Sequence, residues 1–239
     1  MFNTFGSPPS DVRLFVGYGP MPAQNTRLSQ KSVGDRADTG VANRLLDISI
    51  ALAALLFFAP LMILVALAIM ISGGPVLFRQ MRLGQGGELF TCLKFRTMYV
   101  DAEQLLADVL ANDPVARDGW EREHKLRSDP RVSFVGRFLR KTSLDELPQL
   151  FNVLAGSMSI VGPRPIVAAE ARRYGRYIQT YCEVRPGITG LWQISGRNET
   201  SYRRRVACDV AYVRTKSAVK DLLIIVKTIP AVCMARGAY

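Results

Sequence analysis

The chain has 239 residues, 49% of them apolar, and a formal charge of +11 from 31 Lys+Arg against 20 Asp+Glu. That length holds one core domain with appendages, the apolar share excludes a disordered chain, and the basic surplus points to an anionic partner: nucleic acid, an anionic bilayer or a phosphorylated substrate. A single histidine, His124, and four scattered cysteines exclude a histidine triad, a multi-histidine metal centre and a disulfide framework, and they fit a reduced compartment.

Residues 1–40 are rich in Pro, Gly, Ser and Asn and carry no sustained apolar period, which predicts a flexible tail. They also lack the early apolar core of a signal peptide. From Ile48 to Ile71 there follow 24 uncharged residues in a row. At roughly 1.5 Å per residue, a straight helix there reaches about 36 Å, enough for a bilayer core. Two readings compete for it. Composition favours a transmembrane span; Pro60 at its centre, and basic residues on both flanks, favour a re-entrant hairpin that enters and leaves by one face.

Val76–Gln80 and Leu89–Phe95 read as two strands joined by a turn at Gly84-Gln85-Gly86-Gly87. Leu105, Leu106, Val109 and Leu110 have helical spacing, stopped near Asn112-Asp113-Pro114. Over Val132–Lys141, Val135, Phe138 and Leu139 alternate with Arg137, Arg140 and Lys141, which suits either an amphipathic helix on anionic lipid or a core-packed helix with a wet basic face. Leu222–Val226 is too short to span and reads as a buried or interfacial helix. His124, among charged neighbours, reads as a solvated surface residue.

The chemistry-bearing candidates cluster around Thr142–Pro148. Ser143-x-x-Glu146 matches a capping box, so the segment can simply start a helix. A helix N-terminus also favours negative charge, which would lower the pKa of Asp145 and keep it ionised for attack on phosphorus. Two approaching anions need shielding, which Mg²⁺ held by carboxylate and phosphate oxygens supplies. Lys94 and Arg96 are two residues apart on a strand and are expected on one face, Arg140 precedes the acidic pair, and Arg164 lies between Pro163 and Pro165, which stiffen its backbone. Planar guanidinium groups suit phosphate oxygens. Against nucleic acid, the Arg203-Arg204-Arg205 run is not interleaved with aromatics, and no helix-turn-helix, RRM or zinc pattern is present.

Three blocks, KFRTM (94–98), LRKTSLDELPQLFNVLAGSMSIVGPRP (139–165) and RPGITGLWQISGRN (185–198), resemble the signature blocks of the bacterial sugar transferase family, the monotopic polyprenyl-phosphate hexose-1-phosphate transferases. The likeness runs from about Arg44 to Tyr239, and the C-terminal KTIPAVCMARGAY is most similar to the ExoY-type enzymes that prime exopolysaccharide synthesis. The resemblance implies a membrane-associated α+β fold: a tail (1–40), a re-entrant membrane helix broken at Pro60 (41–74), and one catalytic domain (75–239) built from a small β-hairpin and amphipathic interfacial helices. Where the family usually has Ser before that proline, this chain has Ala59. Further implications are Asp145 as nucleophile with Glu146 as its partner near Mg²⁺, Lys94, Arg96 and Arg140 as phosphate-binding bases, and Pro163-Arg164-Pro165 at the nucleotide. The implied partners are a UDP-sugar, galactose or glucose, and undecaprenyl phosphate at the bilayer, without nucleic acid. The implied place is the bacterial inner membrane with the active site facing the cytoplasm. Self-association stays open.

Overall fold

The computed structural model of the chain describes residues 33–123, 126, 129–195 and 201–233. His124 and most of the expected tail lie outside them. Inside them the helical region begins earlier than expected, because α1 (Val33–Ile71) already includes residues 33–40.

α1 continues through Pro60 without a break in its assignment. One stripe of it, marked by Ala51, Val65 and Ile69, is buried on the rest of the chain, while Leu56, Phe57, Ile63, Leu64 and Ile71 are exposed. Its apolar stretch, Gly40–Ile71, has a mean hydropathy of 2.9 in its best window and is long and apolar enough to cross a membrane. A helix whose free faces are Leu, Phe and Ile needs lipid there, so the protein is membrane-associated.

Both ends of that stretch are tied to the same body. On the entry side, the Asp47 carboxylate accepts from Ser159 Oγ (2.8 Å) and Ile160 N (2.9 Å), and Arg44 Nη2 donates to Leu154 O (3.1 Å). On the exit side, Gly73 and Gly74 take positive φ and end the helix. There Arg96 Nη2 donates to Ile69 O (3.3 Å), Ser72 Oγ (3.0 Å) and Gly73 O. A guanidinium on the last carbonyls of a helix is favourable, since those carbonyls are otherwise unpaired and carry the negative end of the dipole.

β1 (Leu77–Leu83) and β2 (Leu89–Phe95) form the expected antiparallel hairpin, with β1 starting one residue later and ending three residues later than its apolar run suggested; Arg82 pairs with Phe90 and Phe78 with Lys94. Next come α2 (Ala102–Asn112), which stops where expected, and α3 (Pro114–Glu123), which no sequence pattern announced. α4 (Phe134–Thr142) is capped by Ser133 Oγ on Gly136 N (2.9 Å). Gly136 is required there, because an added Cβ would collide with the backbone of Thr97. Leu139 faces the core; Phe134 and Phe138 are exposed beside Arg137 and Lys141. The bases and aromatics therefore share the free face, while Leu139 packs the other side of the helix inward.

α5 (Gln149–Ala155) locks onto β2 through Asn152, whose Oδ1 accepts from Leu93 N (2.9 Å) and whose Nδ2 donates to Thr91 O (2.7 Å). Three-residue β3 (Ser159–Val161) pairs in parallel with β4 (Gly187–Thr189), with α6 (Ala171–Tyr174) and α7 (Ile178–Cys182) between them. Gly162 and Gly187 meet so closely that a Cβ on Gly187 would strike the Gly162 nitrogen. α8 (Tyr202–Arg214) and α9 (Ala218–Cys233) complete the described chain. α9 is far longer than the short apolar run suggested: Ile224 is buried while Val219, Leu222, Leu223, Val226 and Ile229 are exposed, a second apolar surface beside that of α1. The fold is mostly helical, with two small two-stranded sheets.

The core joins these pieces. Ala51 of α1 packs with Leu150, Val153, Ile160, Val161, Tyr212 and Ile224, and Val65 and Ile69 pack with Phe95 and Leu139. The membrane helix is thus part of the hydrophobic core of the domain it anchors.

Candidate active site

Ser143 ends α4 in the left-handed region (φ 59°, ψ 15°) and turns the chain into a 3-10 turn, Leu144–Glu146. The capping-box reading does not hold: the Ser143 side chain caps nothing, and α5 begins only at Gln149. In a helix with about three residues per turn, positions three apart eclipse. Leu144 and Leu147 accordingly both pack into the core, leaving Asp145 and Glu146 free to face Lys94. The unusual φ at a non-glycine residue is the cost of aiming the pair.

Bases from three elements converge on it. Lys94 Nζ, from β2, lies 2.6 Å from Glu146 Oε1 and 3.7 Å from Asp145 Oδ2. Arg164 Nη1 lies 3.2 Å from the same Glu146 oxygen. Arg140, at the end of α4, donates from Nε to Thr97 Oγ1 (2.9 Å), and its charge acts on Asp145. Arg164 is aimed by its surroundings: Pro163 is fully buried, the Arg164 carbonyl accepts from Tyr181 O–H (3.2 Å), and the Pro165 carbonyl accepts from Arg82 Nη1 (3.0 Å). Arg82, Cys92, Lys94, Glu146, Gln149 and Arg164 line one cleft.

Arg96 is not brought to the carboxylates. β2 ends at Phe95, and the buried Arg96 guanidinium turns to the end of α1, so the two-residue period that placed it beside Lys94 stops one residue too early.

The two carboxylates differ. Burial pushes Glu146 up, but Lys94 and Arg164, by charge and hydrogen bond, overcome it and hold the group at about 2. Asp145 goes the other way. Burial raises it, Glu146 adds to the rise, and Lys94, Arg164 and Arg140 offset only part. The expectation of a lowered Asp145 pKa is therefore reversed, for want of a long helix at its position and because the side chain is only 13% exposed. Among the described residues no hydrogen bond reaches the Asp145 carboxylate or Glu146 Oε2. Glu146 is the fixed anion of the pair, and Asp145 the more basic oxygen with open lone pairs.

The profile of the family described as "Bacterial sugar transferase" matches residues 39–235. This chain belongs to the bacterial sugar transferase family. Exopolysaccharide production protein ExoY of Rhizobium meliloti is 49% identical over 84% of this chain and 89% of its own length. The undecaprenyl-phosphate galactose phosphotransferase of Salmonella typhimurium is 48% identical over 82% of this chain, which spans 41% of that protein. The UDP-glucose:undecaprenyl-phosphate glucose-1-phosphate transferase of Caulobacter vibrioides is 41% identical over 85% of this chain and 74% of its own length.

Within this member of the family, the cleft and its border also hold residues that sequence reasoning passed over. Arg82 sits on the same hairpin face as Cys92 and Lys94; its odd-even position on β1 carried that signal, but the strand was drawn too short to include it. Trp192, in the third signature block, stands 5.8 Å from the Arg164 guanidinium.

Because Glu146 titrates near 2 when folded against 4.5 ordinarily, its ionic contacts add stability above about pH 4.5 and lose that contribution as pH falls towards 2. Glu146→Gln removes this dependence. In urea unfolding of the detergent-solubilised protein, the gap between wild type and Glu146→Gln is expected to be widest near pH 6 and to narrow steadily below pH 4.5; a gap that widens in acid contradicts the assignment.

Proposed function

We propose that this chain transfers hexose 1-phosphate from a UDP-hexose, galactose or glucose, to undecaprenyl phosphate with release of UMP, as the priming step of exopolysaccharide synthesis. The observation that carries this reading is Asp145, a mostly buried carboxylate that no hydrogen bond reaches among the described residues, flanked by Lys94, Arg140 and Arg164. The printed names of the Salmonella and Caulobacter relatives give the substrate class.

In the first step an Asp145 carboxylate oxygen bonds to the sugar-bearing phosphorus. The bond from that phosphorus to the bridging oxygen breaks, and UMP leaves with the electron pair. In the second step an oxygen of undecaprenyl phosphate attacks the same phosphorus, releasing Asp145 and forming the diphosphate-linked lipid. No proton has to move in either step, so a site without histidine suffices. Lys94, Arg140 and Arg164 hold the phosphoryl oxygens and offset the charge gathered there, which is the main task in phosphoryl transfer. Glu146 keeps Lys94 and Arg164 in place.

Mg²⁺ suits the donor set. Asp145 and Glu146 Oε2 keep free lone pairs, and Mg²⁺ is ordinarily held by one or two carboxylates together with substrate phosphates and water. When bound it would draw carboxylate and diphosphate together and offset their charges. Replacing Asp145 by Asn is expected to lower UMP release from UDP-galactose or UDP-glucose, with undecaprenyl phosphate and Mg²⁺, by on the order of a thousandfold or more. Retained turnover removes Asp145 from the nucleophile role.

The membrane helix is read here as re-entrant, in the cytoplasmic membrane with the cleft towards the cytoplasm. In support, Asp47 and Arg44 before the apolar stretch and Ile69 and Gly73 after it bind the same domain. A span would leave these two anchors on opposite sides of the bilayer. Ala59 lacks the serine hydroxyl that could back-bond near Pro60, so a bend there would rest on the proline and these anchors. Cysteines placed at the exposed positions Val41 and Val100 are both expected to react only with a reagent admitted to the cytoplasm; labelling of either from the periplasm restores the span.

A further inference from the structure

Trp192 is 7% exposed, and its ring lies between the catalytic cleft and α8. The guanidinium of Arg164 is 5.8 Å from the ring centroid, and that of Arg205, in the first turns of α8, is 4.8 Å from it. Arg205 also stacks 5.2 Å from the centroid of Tyr202. Two aromatic faces therefore hold its plane.

Among the described residues nothing accepts a hydrogen bond from Arg205 Nε or Nη2, although both atoms are buried. The Trp192 Nε1–H beside them is buried and unpartnered as well. The carboxylate that senses Arg205 is Asp209, but its Oδ2 is occupied by Tyr174 O–H at 2.7 Å. A buried donor without an acceptor is unfavourable. Here two such donors stand on one edge of a single guanidinium, and that edge is the one whose parallel N–H groups match two oxygens of a phosphate.

A nucleotide sugar brings two phosphates. Lys94, Arg140 and Arg164 surround Asp145 and serve the one under attack. We propose that the Nε/Nη2 edge of Arg205, which shares the Trp192 ring with Arg164, binds the phosphate that leaves with the nucleotide; this rests on the function proposed above. That phosphate gains charge as the bridging bond breaks, so a fixed guanidinium there stabilises the departing group more than the bound donor. Arg205 is thus a substrate-binding residue of the reaction, contributed by an element outside the signature carboxylate and Pro-Arg-Pro segments.

The test uses the full chain in nanodiscs with Trp120→Phe, which leaves Trp192 as the only indole. UMP and uridine are titrated separately while Trp192 emission is followed. UMP is expected to change the emission, and Arg205→Gln is expected to weaken UMP binding by about ten- to a hundredfold while leaving uridine binding unchanged. Arg205→Lys, which keeps the charge and loses the planar fork, is expected to fall between them. Unchanged UMP affinity in Arg205→Gln, an equal loss for UMP and uridine, or a wild-type emission indifferent to UMP each overturns the proposal. If Arg205→Gln has a lowered Tm, Arg205→Lys carries the comparison, and UMP affinity equal to wild type there overturns it likewise. UDP-hexose turnover, assayed in parallel on the wild type, separates the two claims. Normal turnover with UMP binding independent of Arg205 removes the Arg205 site alone. UMP binding through Arg205 without turnover removes the transferase reading and leaves a nucleotide-phosphate site.

Discussion

The structure depends on placing two adjacent carboxylates in a mostly buried cleft without losing them to protonation or mutual repulsion. Burial alone would drive both towards the neutral form. Lys94 and Arg164 prevent this for Glu146, and the same bases with Arg140 hold part of the rise at Asp145. Each base comes from a different element, so the site exists only when the hairpin, α4 and the loop after β3 are packed together. The features that looked merely structural answer to this need: Asn152 bolts β2 to α5, Gly136 lets α4 close on Thr97, and the contact of Gly162 with Gly187 sets the stiff segment that presents Arg164.

The same packing ties the chemistry to the bilayer. Ala51, Val65 and Ile69 of α1 are core residues of the domain, so the membrane helix cannot move independently of the cleft. Phe134 and Phe138 on α4, and the apolar edge of α9, add further exposed apolar surface close to the elements that carry Arg140 and β3. On the function and topology proposed above, the acceptor's phosphate lies at headgroup level, where a cleft fixed to the apolar helix would meet it. Arg96 belongs to this arrangement: it joins the end of β2, two residues from Lys94, to the carbonyls that finish α1.

Much of this was legible in the residues, and the exceptions share a cause. The uncharged run after Asp47, the hairpin around Gly84–Gly87, the Asp145-Glu146 pair and Arg164 between its prolines were all readable, because periodicity and local chemistry define them. What escaped depends on contacts between distant segments. Arg96 was misplaced because strand alternation ends at Phe95, and nothing in the sequence says that the helix terminus lies within its reach. The capping box at Ser143 failed because a left-handed residue there starts a 3-10 turn instead, which local propensity does not foretell. The direction of the Asp145 shift was reversed because burial, the largest cause, is a property of the packed cleft. β3 and β4, three residues each, are too short for any alternation to show, and they form only because Gly162 and Gly187 allow their backbones to touch. Arg205 entered the sequence reading only as part of the Arg203-Arg204-Arg205 run weighed against nucleic acid, because its contacts with Trp192 and Tyr202 exist only in the fold.

The central claim is that Asp145 becomes covalently attached to the sugar phosphate between the two half-reactions. Intact-protein mass spectrometry of the enzyme mixed with UDP-hexose and Mg²⁺, without the lipid acceptor and quenched in acid, addresses it directly. The account calls for a mass gain of one hexose phosphate, lost on adding undecaprenyl phosphate and located by peptide mapping to Asp145. Multiple turnovers of lipid-dependent UMP release from a polypeptide that never gains that mass at any quench time would contradict it.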